Sequence, residues 1–138
     1  MALKAEALIP GEARGRVCVL RAPISFWGGV DPRTGDVIDA RHPDRGLNIA
    51  GVILGLPGTI GSSSASSVLL ELVHAGRAPA ALLVVEPDAV LLLGLIVARE
   101  MGWPRPPAIR CDAAALAGLH GRRIAIGRDG TITPLAEP

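Results

Sequence analysis

From Ser66 onward the chain alternates two kinds of apolar pattern, and that alternation restricts its fold more than any other feature. Apolar residues at Val68, Leu69, Leu72 and Val73 recur at helical spacing within Ser66 to Ala75, and Gly76 follows as a helix C-cap. Ala80 to Val85 is then a continuous apolar strand, Asp88 stands where an N-cap belongs for a helix running to Met101, and Gly102 ends it. Ala108 to Arg110 reads as a strand, Ala113 to Ala117 as a small helix stopped by Gly118, and Arg123 to Ile126 and Thr131 to Thr133 as two closing strands. The earlier half reads as strands and turns. Arg16 to Leu20 is closed by Pro23, Asp36 to Asp39 follows the turn Asp31-Pro32-Arg33-Thr34-Gly35, and Ile49 to Leu56 ends in Pro57-Gly58. An antiparallel or mixed β start followed by alternating strands and helices predicts a layered α/β domain.

The 138 residues suit a single domain, 1–138, and a chain of this length buries about two thirds of its unfolded surface. Only Phe26, Trp27 and Trp103 are aromatic, so the core must be built from Val, Ile, Leu and Ala. Basic and acidic residues number 14 and 13, and the basic ones are scattered except for the pair Arg122-Arg123, which argues against nucleic-acid binding. The most apolar stretch, Ala89 to Ala98, is too short to span a bilayer, and Met1 to Glu6 does not read as a signal peptide, so a cytoplasmic protein with no membrane contact is expected. Cys18 and Cys111 read as reduced and buried. With no Cys-x-x-Cys and no histidine pair at helical spacing, no metal site is expected from this chain alone. His42, His74 and His120 read as surface or helix-end residues, and Asp31, Glu71 and Glu86 as structural acids.

Two segments carry candidate chemistry. Five serines fill six positions, Ser62-Ser63-Ser64-Ala65-Ser66-Ser67, directly after Gly61 and before Val68-Leu69-Leu70. One N-cap serine satisfies one backbone donor, so the surplus hydroxyls and free N–H groups of a first turn suit a carboxylate or phosphate, and Gly61 lets the backbone approach it. The same serines are equally readable as a polar helix start, because a phosphate loop normally carries a lysine and none is present. The second segment is Ser25-Phe26-Trp27-Gly28-Gly29-Val30-Asp31-Pro32, where two of the three aromatics adjoin two glycines. One ring can enter the core while the other faces a partner or ligand, or both can cover a core edge.

Taken together, Pro23 to Pro32, Gly61-Ser62-Ser63-Ser64 with Val68-Leu69-Leu70-Glu71, and Gly76-Arg77-Ala78-Pro79-Ala80 resemble the small subunit, or swivel domain, of aconitase X over roughly Gly15 to Pro107. The resemblance implies a swivelling β/β/α three-layer fold and a hydro-lyase split over two chains. It further implies that a large aconitase-like subunit holds an iron-sulfur cluster, with no cofactor bound by this chain alone. The matching loop in aconitase reads Gly-Ser-Ser-Arg, which makes Ser62 the expected base, Gly61, Ser63 and Ser64 the expected substrate-binding residues, and Phe26, Trp27, Gly28 and Gly29 contacts to the partner or site. The arginine of that loop is replaced by Ser64, so carboxylate recognition must differ or come from the large subunit. Gly-Ser-Ser-Ser and Trp27 look like bacterial members that dehydrate cis-3-hydroxy-L-proline. The alternatives are a phosphomevalonate dehydratase small subunit, whose archaeal forms tend to Gly-Ser-Thr and leucine at those places, or a non-catalytic swivel-like binding module.

Overall fold

The computed structural model describes residues 3–61 and 64–137. Eight strands and four helical segments follow in the order β1 (Leu3–Lys4), β2 (Glu6–Ile9), β3 (Ala13–Val19), α1 (Phe26–Gly29), β4 (Ile53–Leu56), α2 (Ala65–Ala75), β5 (Ala81–Val84), α3 (Ala89–Glu100), β6 (Ala108–Arg110), α4 (Ala113–Leu119), β7 (Arg123–Ile126) and β8 (Thr131–Pro134).

The strands are ordered β1-β8-β7-β3-β4-β5-β6-β2. β3 belongs to both halves of this order. Its Ala13–Arg16 part pairs antiparallel with β7, and Val17–Val19 pairs parallel with β4. A strand that passes from one sheet to another makes a corner between two packed layers. The opposite corner is made by the N-terminal segment, because Leu3 and Lys4 pair with β8 while Glu6 to Ile9 pair with β6. Only Ala5 separates them, and its N–H donates to the Gly130 carbonyl at 3.1 Å. The strands therefore close into a two-layer β unit whose outer edges share one segment.

Both faces of the parallel layer are buried. Along β4 and β5, Ile53, Ala81 and Leu83 point into the space between the two β layers, where they meet Val17, Ile109, Ile124 and Ile132. Leu54, Leu56, Leu82 and Val84 point the other way, against Leu69 and Leu72 of α2 and Leu91 and Leu95 of α3. This two-sided burial is why both strands read as unbroken apolar runs. Each fully buried Leu or Ile contributes about 2 kcal/mol relative to exposure, so the two aliphatic cores carry the fold with few rings. The layers are β, β and α in order, the three-layer arrangement expected from the resemblance.

Several boundaries differ from the sequence reading. Asp36 to Asp39 forms only isolated bridges, Val37 to Val30 and Asp36 to Asn48. The run from Ile49 becomes a strand only at Ile53, because Gly51 turns the chain at φ +75°. Gly118 lies inside α4, not beyond its end. Gly76 and Gly102 do end their helices, at φ +72° and +74°. Asp88 caps α3 by accepting from the Leu91 N–H at 3.0 Å. No helix among the described residues is long and apolar enough to cross a membrane.

Candidate functional site

The turn that carries Trp27 is fixed by its own sequence. Trp27 at φ −72°, ψ 118° and Gly28 at φ +80°, ψ −15° have the central dihedrals of a type II turn, which requires φ > 0 at its third residue. Glycine supplies that conformation without strain. The Ser25 hydroxyl donates to the Trp27 carbonyl at 3.0 Å, and the Ile38 N–H donates to the Gly29 carbonyl at 2.8 Å, so the turn is held from both sides. Phe26 is sunk in the core at 1% exposure, whereas Trp27 projects outward at 61%. Gly29 is buried too, and a Cβ there would stand 3.0 Å from Ile24 Cγ1. Phe26 and Gly29 thus lie beneath the surface and support the turn; Trp27 and Gly28 are the members of that group exposed on it.

The segment that leads into the serine run, Thr59 and Ile60, is held to the chain just before this turn by backbone pairing. Thr59 bridges to Ile24 in parallel, and the Ile60 N–H donates to the Ile24 carbonyl at 3.0 Å. On its other side the Thr59 hydroxyl donates to the Asp88 carboxylate at 2.8 Å, which ties the loop to the start of α3. Gly61 follows, exposed. Ser62 and Ser63, the expected base and its neighbour, lie outside the described residues. Ser64 is the N-cap of α2, and its carbonyl accepts from the N–H groups of Ser67 and Val68 at 3.1 and 3.3 Å.

Between turn and helix lies a depression of about 370 Å³, walled by Trp27 and Gly28 on one side and Ser64, Ser67 and Glu71 on the other, with Ile38 at its margin. Segments more than thirty residues apart in sequence therefore share one concave surface. Ser67 and Glu71 were not among the expected site residues. The signal that finds them is helical spacing, since 64, 67 and 71 fall on one face of α2. Trp27 and Ile38, which line this depression, are among the large apolar side chains left in solvent, at 61% and 47% exposure. Apolar side chains grouped around a concave site mark a surface that meets another molecule.

The histidines are not catalytically paired. His42 is buried at 6% exposure, contrary to the surface position expected for it. Its Nδ1 accepts from the Asp44 N–H at 3.0 Å and its Nε2 lies 3.0 Å from the Ala22 carbonyl, which together require the neutral ring with the hydrogen on Nε2. His120 Nδ1 accepts from the Val19 N–H at 3.0 Å, and His74 stacks on Trp103 with centroids 4.4 Å apart. Cys111 is buried between the β layers, and burial pushes its thiol up to about 11, helped by Asp112 and opposed by Arg110. Cys18 is half-buried on β3, where burial first and Asp44 second push its thiol upward. Among the described residues no group of three or more His, Cys, Asp or Glu side chains is placed to hold a metal ion.

A β/β/α unit with a glycine-serine loop between a central parallel strand and its helix defines the class as a swivelling α/β domain. The chain belongs to the aconitase X swivel domain family, whose model matches residues 2–133. It is 52% identical over 124 residues to cis-3-hydroxy-L-proline dehydratase of Pseudomonas aeruginosa, an alignment covering 88% of this chain and 21% of that protein. It is 36% identical over 137 residues to the phosphomevalonate dehydratase small subunit of Thermococcus onnurineus, covering 99% of this chain and all of that one. The chain thus spans about a fifth of the length of the first relative and the full length of the second. Among solved structures it is similar to the holo form of Thermococcus kodakaraensis aconitase X, with a TM-score of 0.84, 35% identity and 99% of each chain covered.

Proposed function

We propose that this chain is the swivel part of a hydro-lyase that dehydrates a small hydroxy acid, cis-3-hydroxy-L-proline, in the cytoplasm and together with a large aconitase-like part. The observation that carries this reading is the meeting of the Trp27 turn with Ser64 and Ser67 at the start of α2 on one depression, in a chain 52% identical to a cis-3-hydroxy-L-proline dehydratase.

Dehydration requires a base at the carbon next to the carboxylate. The base takes that proton, the C–H electrons form a double bond to the neighbouring carbon, and the hydroxyl there departs with a proton as water. In the proposal Ser62 is the base. An ordinary serine hydroxyl is too weak for this, so Ser62 must act as an alkoxide held by N–H donors at the start of α2, where the helix dipole favours negative charge. The same donors, with Gly61, Ser63 and Ser64, suit a substrate carboxylate. An iron-sulfur cluster of the kind the family resemblance implies does not fit the described residues of this chain, whose two cysteines sit apart in structural surroundings. The cluster is therefore assigned to the large part. The exposed Ile38 and Ile60 are assigned to the interface with that part.

Reconstitution with a large aconitase-like subunit tests the reading. Ser62→Ala should lower kcat by about a hundredfold or more with little change in KM. Near-normal turnover by this variant removes Ser62 from the role. A chain that associates with no large subunit is instead a non-catalytic binding module.

A further inference from the structure

Among the described residues, the depression between α1 and α2 is lined by one carboxylate and by no cation. Glu71 lines it from one turn beyond Ser67, is exposed, and makes no hydrogen bond or ion pair with any described residue. No Lys, Arg or His is among the described residues of its wall. Trp27 lines the same depression, and its side chain is left 61% exposed in a chain with only three aromatic residues. An uncompensated carboxylate on a concave surface attracts positive charge and repels a second anion. An indole face likewise attracts a cation through its quadrupole.

We infer that Glu71 and Trp27 form a recognition pair for a protonated ring nitrogen, which selects a cyclic imino acid over a phosphorylated hydroxy acid. This rests on the dehydratase reading above and specifies which part of the substrate meets this wall. The substrate carboxylate lies toward the start of α2, where N–H groups and the helix dipole receive it. The ring ammonium lies toward Glu71, further along the same helix. A zwitterionic ring is thereby oriented along α2, positive end toward Glu71, whereas a phosphate at that end would face a carboxylate with no cation beside it.

The test compares L-proline with its oxygen isostere (S)-tetrahydrofuran-2-carboxylate, which keeps the carboxylate and ring shape but lacks the positive nitrogen. Both are measured as ligands of the reconstituted two-part complex by calorimetry and as inhibitors of turnover. The unsubstituted complex should bind L-proline about tenfold or more tightly than the isostere. Glu71→Gln should bring that ratio close to one through weaker L-proline binding alone, and Trp27→Leu should reduce it about threefold. Retention of the full ratio by Glu71→Gln overturns the assignment. Equal weakening of both ligands also overturns it, because Glu71 is then pairing with a cation of the large part. A complex that turns over cis-3-hydroxy-L-proline but does not prefer L-proline removes the recognition pair and leaves the dehydratase reading standing. A complex that neither turns over this substrate nor binds either ligand removes both.

Discussion

The neutral His42 ring joins two backbone groups that no strand satisfies, the Ala22 carbonyl and the Asp44 N–H. Asp44 in turn receives the Arg21 N–H at 2.7 Å and the Arg21 guanidinium at 2.8 Å, and Arg21 also donates to the Pro43 carbonyl. Burial alone would raise the Asp44 carboxyl, but these Arg21 contacts outweigh it and hold the group below its usual range. The 39–47 loop is thus fastened to the chain leaving β3, just before the turn that presents Trp27. Replacing His42 by Ala leaves a part-buried N–H and C=O without their partner, at a cost of about 1 kcal/mol or more. Denaturant unfolding of His42→Ala should show that loss, and unchanged stability would mean that water serves the two groups equally well. His42 could not be placed from sequence because the pattern His-Pro-Asp reads as a solvated turn. Its burial comes from Ala22, twenty residues away, which no local signal connects to it. Trp27 was legible for the opposite reason, since Phe26-Trp27-Gly28-Gly29 contains its own turn.

The helices were legible wherever a local rule decided them. Asp88 was read as the cap of α3 and Gly76 as the end of α2, and both hold because capping depends on neighbours within four residues. Gly118 was read as a stop by the same rule and is helical, because only a left-handed φ makes glycine a terminator and Gly118 does not adopt one. The role of Gly94 was invisible, since it depends on a second helix. A Cβ at Gly94 would stand 2.5 Å from the Ser66 carbonyl oxygen, so its absence lets α3 lie against the first turn of α2. That contact also sets the start of the helix next to the serine loop. The two glycines therefore predict opposite signs. Gly118→Ala has open space and should stabilise by up to ~1 kcal/mol through helix propensity. Gly94→Ala gains the same propensity but must push two helices apart, for a net loss of roughly 1–3 kcal/mol. Thermal melts of the two variants check this, and a stabilised Gly94→Ala would show that α2 and α3 separate without cost.

At the scale of the whole molecule the feature that local reading could not supply is closure. β1 and β2 are two and four residues long, and their partners lie at the far end of the sequence, with Lys4 opposite Thr131 and Glu6 opposite Arg110. Strands so short carry no periodicity of their own, and closing the long loops to their partners costs chain entropy that contacts from the rest of the chain must offset. The layered α/β class followed from alternation of pattern, but the union of both sheet edges in one N-terminal segment did not. Closure predicts that this segment matters beyond its size. A variant lacking residues 1–9 leaves β8 and β6 with unpaired N–H and C=O groups at two edges simultaneously and uncovers part of the aliphatic core between the layers. Open edges of that kind recruit strands from other molecules. The truncated chain should therefore melt at least about 10 °C lower than the full chain and associate in a concentration-dependent way, read by calorimetry and light scattering. Substituting Gly130 should act in the same direction but more weakly. Its φ is +87° and a Cβ there collides with the Ala5 carbonyl, so Gly130→Ala strains the single residue that links the two edges without removing either strand. If the truncated chain stays monomeric with an unchanged melting temperature, the two layers hold together through β3 alone and the shared edge is incidental to the fold.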